Sequence, residues 1–506
     1  MRLVTPLEMM KLEDLTNKSG VSYDQMMELA GEGLAGHIAR ILVEQDQQSV
    51  LFLCGNGNNA GDCFVAADRL AKQFSVTVCL LAGIPKTRTA FTKYKMLKDI
   101  SILTAQDDIR KAVQDAPIVV DGVFGIGFRG ELPVFVRELF GMIGKSREKI
   151  CIAVDIPSGG SGLNGSVAEG TPHCNMTITF GAAKIGQFIP PLAEYCGAVF
   201  LVGIDIPDDA FAELSYPIHH VNGETVHELL PSRPLSAHKG MFGKLLCVAG
   251  SRQMPGAAML AAQAALRSGV GLCCLASEEG ACRMLVSQTP EATMFPLPTD
   301  QNGRITAQAV PLILEQAKTA TAVMLGCGLG QSDSLRQAVN SLLTQLECPI
   351  ILDADGLNLI ASGIDILRKT KAPVVLTPHP GEMAKLLRCS VADVQKDRIG
   401  AAKRLASRYP NIVVVLKGAG TVIAAADHAS ISTTGNSGMS KGGSGDILAG
   451  IIGGLTAQNI PPEDAAKIGV FVHGLAGDCA AAEYSSRAML PSDMLRQLPL
   501  VFGEYE

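Results

Sequence analysis

Short apolar runs, each closed by glycines or an acidic residue and followed by a helical pattern, recur along the whole chain. Val50–Cys54 runs into GNGNNAGD (Gly55–Asp62), and Lys244–Ala249 runs into GSRQMPGAA (Gly250–Ala258). Similar runs stand at Pro117–Val120, Ile150–Val154, Ala322–Leu325, Ile350–Leu352, Val374–Leu376 and Ile412–Leu416. Runs that are apolar at every position fit strands buried on both faces, and the helical stretches between them predict parallel pairing. The pattern therefore predicts an α/β protein made of two doubly wound sheets. It breaks down between Val202 and Ser236, where Pro, His and acidic residues follow no sustained period. Residues 1–221 and 237–506 are expected as domains, with 222–236 as the linker. The halves carry different glycine motifs, so duplication is not indicated.

Composition narrows the function classes. A chain of 506 residues exceeds one ordinary core, and its 53 glycines suit close approach of backbone to ligands. A net charge of −6 gives no general attraction for nucleic acid. The 14 cysteines include no CxxC pair, which fits reduced buried thiols better than disulfides or a zinc site. The charged N-terminus does not read as a signal peptide, and no apolar run is long enough to span a membrane. A cytoplasmic protein with no nucleic-acid or membrane partner is expected.

The most informative stretch is TGNSGMSKGGSGDILAG (Thr434–Gly450). Small residues expose backbone N–H groups there, and the apolar run behind reads as a helix whose positive end faces the same point. Asp446 at that lip could be a simple helix cap. Capping does not explain Gly435, Gly438, Gly442, Gly443 and Gly445. A phosphate site with a base beside it does: the carboxylate can take a proton from a hydroxyl that attacks a phosphoryl group. Lys417-Gly418-Ala419-Gly420-Thr421 follows a strand and reads either as a nucleotide-binding turn or as an ordinary hairpin. His379, between two prolines in TPHPGE, and the loops Gly326–Gly330 and Asp353–Asn358 also close strands. Loops from several strand ends converge where such sheets bind ligands.

KGAGT followed by GGSGD resembles the ribokinase-type fold. HKGMFGKLLCVAGS, LDADGLNL, TPHPGE and GNSGMSKGGSGDILAGIIGG together resemble the nicotinamide-nucleotide hydrate dehydratases over His238–Pro499. The resemblance implies that Lys417, Gly418, Ala419, Gly420, Thr421, Asn436, Gly442, Gly443 and Gly445 bind ADP with Mg2+. It places Asp446 at the substrate's hydroxyl, with Ala257, Gly328 and His379 against the hydrated nucleotide. TPHPGE is similar to the ADP-using branch, which releases AMP and phosphate.

In the N-terminal half, the asparagines of GNGNNAGD serve either as left-handed turn residues or as oxygen ligands for a cation or ribose. VVDGVFGIGFRGE lacks the full spacing of a dinucleotide motif. NNAGD, DGVFGIGFRGE, DIPSG and Thr179–Gly186 resemble the nicotinamide-nucleotide hydrate epimerases over residues 1–220, a Rossmann-like three-layer sandwich. That resemblance assigns Asn58, Asn59, Ala60, Gly61, Asp62, Gly125, Ile126, Gly127, Phe128, Arg129, Gly130, Glu131 and Asp155 to the hydrate. It assigns Asn59, Asp121 and Ser158 to a potassium ion. Ala60 stands where the family most often has glycine, and GGSGLNG after Ser158 departs from the usual DIPSGL. Asp155 is expected as the acid/base, with Lys184 either its helper or a merely solvated or salt-bridged lysine. The expected reactions interconvert the R and S hydrates of NADH and NADPH (NADHX and NADPHX) and dehydrate the S form. Besides these substrates, further copies of the chain in a homo-oligomer are expected as partners. The rival is a small-molecule kinase fused to a nucleotide-binding scaffold.

Overall fold

The computed structural model describes residues 1–146, 148–409 and 411–506. The chain divides into two compact units, Met1–Pro217 and Ile218–Glu506. The division precedes the expected linker. Residues 222–236 begin with a helix, Gly223–Leu229, capped by Asn222, whose Oδ1 accepts from Thr225 N at 3.0 Å. Val221 and Val226 enter the core of the second unit. A helix of two turns is too short to show a period in sequence, so this segment read as a connection.

In the first unit, seven parallel strands lie in the order Ser101–Leu103, Ser75–Leu80, Ser49–Cys54, Ile118–Gly122, Ile150–Val154, Met176–Phe180, Ala198–Val202. Alternation places Phe52, Val120 and Ile152 in one core and Leu53, Val119 and Ala153 in another. Both sheet faces are thus covered, which is why these strands are apolar throughout. The chain grows outward one way from Ser49–Cys54 and then returns to the other side at Ile118–Gly122. The crevice at that reversal is where such a sheet binds ligands.

The second unit repeats the plan with other residues. Strands Thr293–Leu297, Leu272–Glu278, Lys244–Val248, Ala322–Leu325, Ile350–Leu352, Val374–Leu376 and Ile412–Leu416 pair in parallel. Thr421–Ala424 then pairs antiparallel with both Ile412–Leu416 and Ala429–Ser432. The reversal falls between Lys244–Val248 and Ala322–Leu325. Across it, Gly250 N donates to Cys327 O at 2.8 Å. Helix Ser444–Ala457 crosses helix Pro255–Arg267 closely because Gly454 brings its backbone against Ala265, where a Cβ would lie 2.6 Å from a carbonyl oxygen. The glycine-rich start of the first helix and Ala257 are thereby held on one side of the sheet.

The 14 cysteines are free, and eleven of them are buried. None of the described helices is long and apolar enough to cross a membrane.

Candidate active sites

The first crevice is built from three strand ends. After Ile150–Val154 the backbone of Asp155 turns with a φ of +65°, an uncommon conformation for a residue with a side chain. Asp155 N donates to Ile178 O at 2.7 Å, and Gln187 Nε2 donates to Asp155 O at 2.8 Å, so the turn is held on both sides. Asp155 Oδ1 accepts from Lys184 Nζ at 2.5 Å and from Thr179 Oγ1 at 2.9 Å. Lys184 is only 1% exposed, and it also reaches Thr179 Oγ1 and Phe180 O, each at 3.1 Å. It is a buried ion-pair partner rather than a solvated lysine.

Asn58 opens helix Asn58–Leu70, and Asn59 Nδ2 donates to Val154 O at 3.1 Å, next to Asp155. Ala60 is buried in the same first turn, so the extra methyl sits in ordinary helical backbone. Gly61 packs on Met27, and Asp62 follows it one turn into the helix. The loop Gly125–Glu131 is half-buried at Gly125, Ile126 and Phe128 and exposed at Gly127, Arg129, Gly130 and Glu131. Arg129 folds back on the loop, its Nη1 donating to Phe128 O at 2.7 Å.

Asp121 and Ser158 are brought together. Ser158 donates to Asp121 from its hydroxyl at 2.5 Å and from its backbone N–H at 2.8 Å. Phe124 N donates to Ser158 Oγ at 2.8 Å, and Asn59 Oδ1 faces Gly125. Burial pushes the Asp121 carboxyl up to about 6, against the Ser158 hydrogen bonds. Among the described residues no cationic side chain pairs with this buried carboxylate, and its oxygen-donor surroundings fit a hard cation.

The second crevice centres on Asp353, only 1% exposed, which follows strand Ile350–Leu352. Its Oδ1 accepts from Lys417 Nζ and Thr377 Oγ1, both at 2.7 Å, and the Cys327 thiol lies 3.7 Å from its Oδ2. Burial alone would lower the Lys417 pKa, but Asp353 and Glu382 outweigh it and hold the ammonium above its usual range. Lys417 points at the glycine loop: a Cβ on Gly445 would lie 3.3 Å from its Nζ. Gly443 caps helix Ser444–Ala457 with a φ of +105°, open to a residue without a side chain, and Gly442 is exposed before it. Asp446 lies in that helix's first turn. Burial, then the Asp353 charge, pushes its carboxyl up to about 6, while Cys327 and Lys417 oppose.

Ala257 and Gly328 are brought into contact. Gly328 has a φ of +64°, and a Cβ there would lie 2.8 Å from that of Ala257. His379 caps helix Pro380–Leu387, its Nδ1 accepting from Gly381 N at 3.0 Å, while Glu382 Oε2 accepts from His379 N at 2.8 Å. Lys417–Thr421 is a tight antiparallel turn, with the Thr421 hydroxyl donating to Gly418 O at 2.8 Å. Asn436 is spent on its own loop: Oδ1 accepts from Gly438 N, and Nδ2 donates to Asp478 Oδ1, both at 2.9 Å.

Several shaping residues escaped the sequence reading. Arg398 is buried and donates to the carbonyls of Leu416, Lys417 and Gly420 at 3.1, 3.2 and 3.3 Å, which fixes the KGAGT turn from behind. Asp478 holds the start of the phosphate loop, with Gly435 N donating to its Oδ2 at 2.9 Å. A lone acid in the small-residue stretch GLAGDCAAA was a readable signal for Asp478; Arg398 left none. Cys327, Asp353 and Asp446 bring one ligand atom each within 4.8 Å of one another. The two carboxylates suit a magnesium ion shared with phosphate oxygens; the thiol does not.

A family model described as NAD(P)H-hydrate dehydratase matches residues 245–500, and one described as YjeF-related protein N-terminus matches residues 23–186. The bifunctional NAD(P)H-hydrate repair enzyme of Moorella thermoacetica is 35% identical, over 100% of this chain and 97% of its own. A ribokinase-like superfamily protein from Enterococcus faecalis is 26% identical with a TM-score of 0.50, covering 57% of this chain and 96% of its own. An ADP/ATP-dependent NAD(P)H-hydrate dehydratase from Bacillus subtilis, co-crystallised with ATP/Mg2+, is 34% identical over 57% of this chain and 99% of its own, with a TM-score of 0.49. With both halves matched and similarity running the full length, this chain belongs to the family of bifunctional NAD(P)H-hydrate repair enzymes.

Proposed function

We propose that the first unit epimerises NADHX and NADPHX at the Asp155–Lys184 pair, and that the second dehydrates the S epimer with ADP at the glycine loop around Asp446. The observation that carries the second half is the place of Asp446 in the first turn of a helix whose N–H groups no side chain caps, with the Lys417 ammonium facing Gly445. Those N–H groups and Lys417 bind and orient the nucleotide phosphates. Asp446 takes the proton of the hydrate's hydroxyl as its oxygen attacks the terminal phosphoryl group, and AMP leaves. Hydroxide is a poor leaving group and phosphate a good one. The C–O bond then breaks with its electron pair going to phosphate, and loss of the neighbouring proton restores the ring double bond. Asp353 and Asp446 are the residues that would hold magnesium, which would neutralise phosphate charge.

In the first unit Asn59, Asp121 and Ser158 would hold potassium, whose positive charge compensates the buried Asp121. Asp155 acts as acid/base at the epimerised carbon, and Lys184 keeps its carboxylate placed.

The test is recovery of the reduced-nicotinamide absorbance from hydrated NADH with magnesium, with ADP and ATP supplied separately. Recovery with ADP, with AMP and phosphate formed in equal amounts, is expected. Consumption of nucleotide that leaves a stable phosphorylated product and no absorbance would make the second unit a plain kinase.

A further inference from the structure

Besides Asp155 and Asp121, the first crevice holds an aspartate that has no ion-pair partner among the described residues, Asp62. Asn59 Nδ2 donates to Val154 O at 3.1 Å, which ties the start of helix Asn58–Leu70 to the strand end that carries Asp155. Asp62 stands three residues beyond Asn59, on the same helix face. Its carboxyl makes no hydrogen bond or ion pair among the described residues. A further acid comes from helix Pro6–Lys18. That helix is seated on the site: a Cβ on Gly162 would lie 3.2 Å from Pro6 and 3.3 Å from Lys184, and one on Gly181 would lie 2.7 Å from Met9. Glu13 follows Met9 by one turn and also lacks a hydrogen-bond partner among the described residues.

Asp155, Asp62 and Glu13 therefore share one ammonium, that of Lys184. Lys184 directs its protons to Asp155 Oδ1, Thr179 Oγ1 and Phe180 O, which leaves none for Asp62 or Glu13. Burial pushes Asp62 well above the carboxylate range, the charges of Asp155 and Glu13 add to this, and Lys184 opposes. Burial raises Glu13 as well, with Lys184 opposing and Asp155 adding. The adjacent titratable group, the Cys63 thiol, is pushed up by burial and carries no charge of its own. Aspartates made unequal by their surroundings are the arrangement in which one serves as acid and the other as base.

We propose that Asp62 is the general acid of the epimerisation and Asp155 its base, a reading that rests on the first crevice being the epimerase site. The epimerised carbon bears a hydroxyl and adjoins the ring nitrogen. Protonated Asp62 gives its proton to that hydroxyl, the C–O bond breaks, and water leaves with the bonding pair. The nitrogen lone pair closes a C=N bond, which makes the carbon planar and cationic, beside the Asp155 carboxylate. Water adds to the opposite face, and Asp155 takes its surplus proton. One water leaves, one enters, nothing is oxidised, and the two carboxyls recover their protonation by exchange with solvent. The reverse reaction uses the same groups with roles exchanged.

The experiment follows conversion of the unreactive epimer by the full chain in H2(18)O, for the wild type, Asp62→Asn and Asp62→Glu. Wild-type product carries the label, and its rate falls as pH rises through the Asp62 titration, because the acid form is the active one. Asp62→Asn is expected to lose about 10²–10³-fold in kcat with little change in KM, and to lose that alkaline fall. Asp62→Glu restores a measurable part of the rate, and dehydration of the reactive epimer persists in all three proteins, which shows the chain folded. Wild-type conversion in Asp62→Asn, a loss confined to KM, or unlabelled wild-type product overturns the proposal. A wild-type protein that converts the epimer no faster than buffer overturns the epimerase reading itself.

Discussion

The two crevices solve one electrostatic problem in two ways. Each holds a buried lysine–aspartate pair at strand ends, Lys184 with Asp155 at 2.5 Å and Lys417 with Asp353 at 2.7 Å. Each keeps another aspartate nearby, raised by burial and by its acidic neighbours: Asp62 in the first and Asp446 in the second. The surroundings differ. Asp446 stands in the first turn of a helix whose N–H groups no side chain caps, with Lys417 facing the same loop. Asp62 lies one turn into helix Asn58–Leu70, with Asp155 and Glu13 as its acidic neighbours. A lysine–aspartate pair is common to both crevices, and under the proposed functions the company of the extra aspartate separates phosphoryl transfer from proton transfer.

The largest effect that would break this comparison is at Asp446. Asp446→Asn is expected to lower dehydration about 10³-fold, measured by absorbance recovery, while epimerisation by the same protein continues. In the wild type, Asp446 must be unprotonated to act as base. Dehydration should rise with pH through about 6 and then level, and a rate that is flat across that range would remove the base from the scheme.

Next in size is the scaffold itself. Lys184→Met leaves Asp155 buried without its cation, and about 3–5 kcal/mol of stability should go with it. Denaturant unfolding would show an early transition, with epimerisation lost and dehydration retained at low denaturant. An unshifted transition would mean that the pair is not needed to hold the first unit.

A smaller effect separates shaping from chemistry in the second unit. Arg398→Ala removes the guanidinium that fixes the Leu416, Lys417 and Gly420 carbonyls. The nucleotide KM should rise about tenfold with kcat little changed, a cost of about 1.4 kcal/mol. Loss confined to kcat would place Arg398 in the chemistry instead. The smallest effect is at Ala60, which lies in the helix at the first crevice. Ala60→Gly should cost about 0.5–1 kcal/mol by thermal unfolding and leave both activities in place.

Much of this was legible in the chain, and the reasons differ by element. Strands such as Ile150–Val154 and Ala322–Leu325 were readable to the residue because burial on both faces leaves no polar position to blur the run. Ala257 and Gly328 were separate candidates that the fold brought into contact, a pairing of distant loops that no local pattern encodes. The linker was misplaced because a two-turn helix has no period to detect. Lys184 was ambiguous because a lysine reads as solvated until its partner is known, and that partner, Asp155, lies 29 residues away. Glu13 is one charge among several in the charged N-terminus. Its place beside Lys184 depends on how helix Pro6–Lys18 packs, not on its own sequence.

The most direct test of a chain with two cooperating sites is the time course of absorbance recovery from a mixture of both hydrate epimers, with nucleotide and magnesium, for the wild type and Asp155→Ala. The wild type should run to complete recovery in one phase. Asp155→Ala should recover the S fraction at the wild-type rate and then slow to the spontaneous epimerisation seen in buffer. Superimposable curves would remove Asp155 from epimerisation, and no recovery by either protein would contradict the account as a whole.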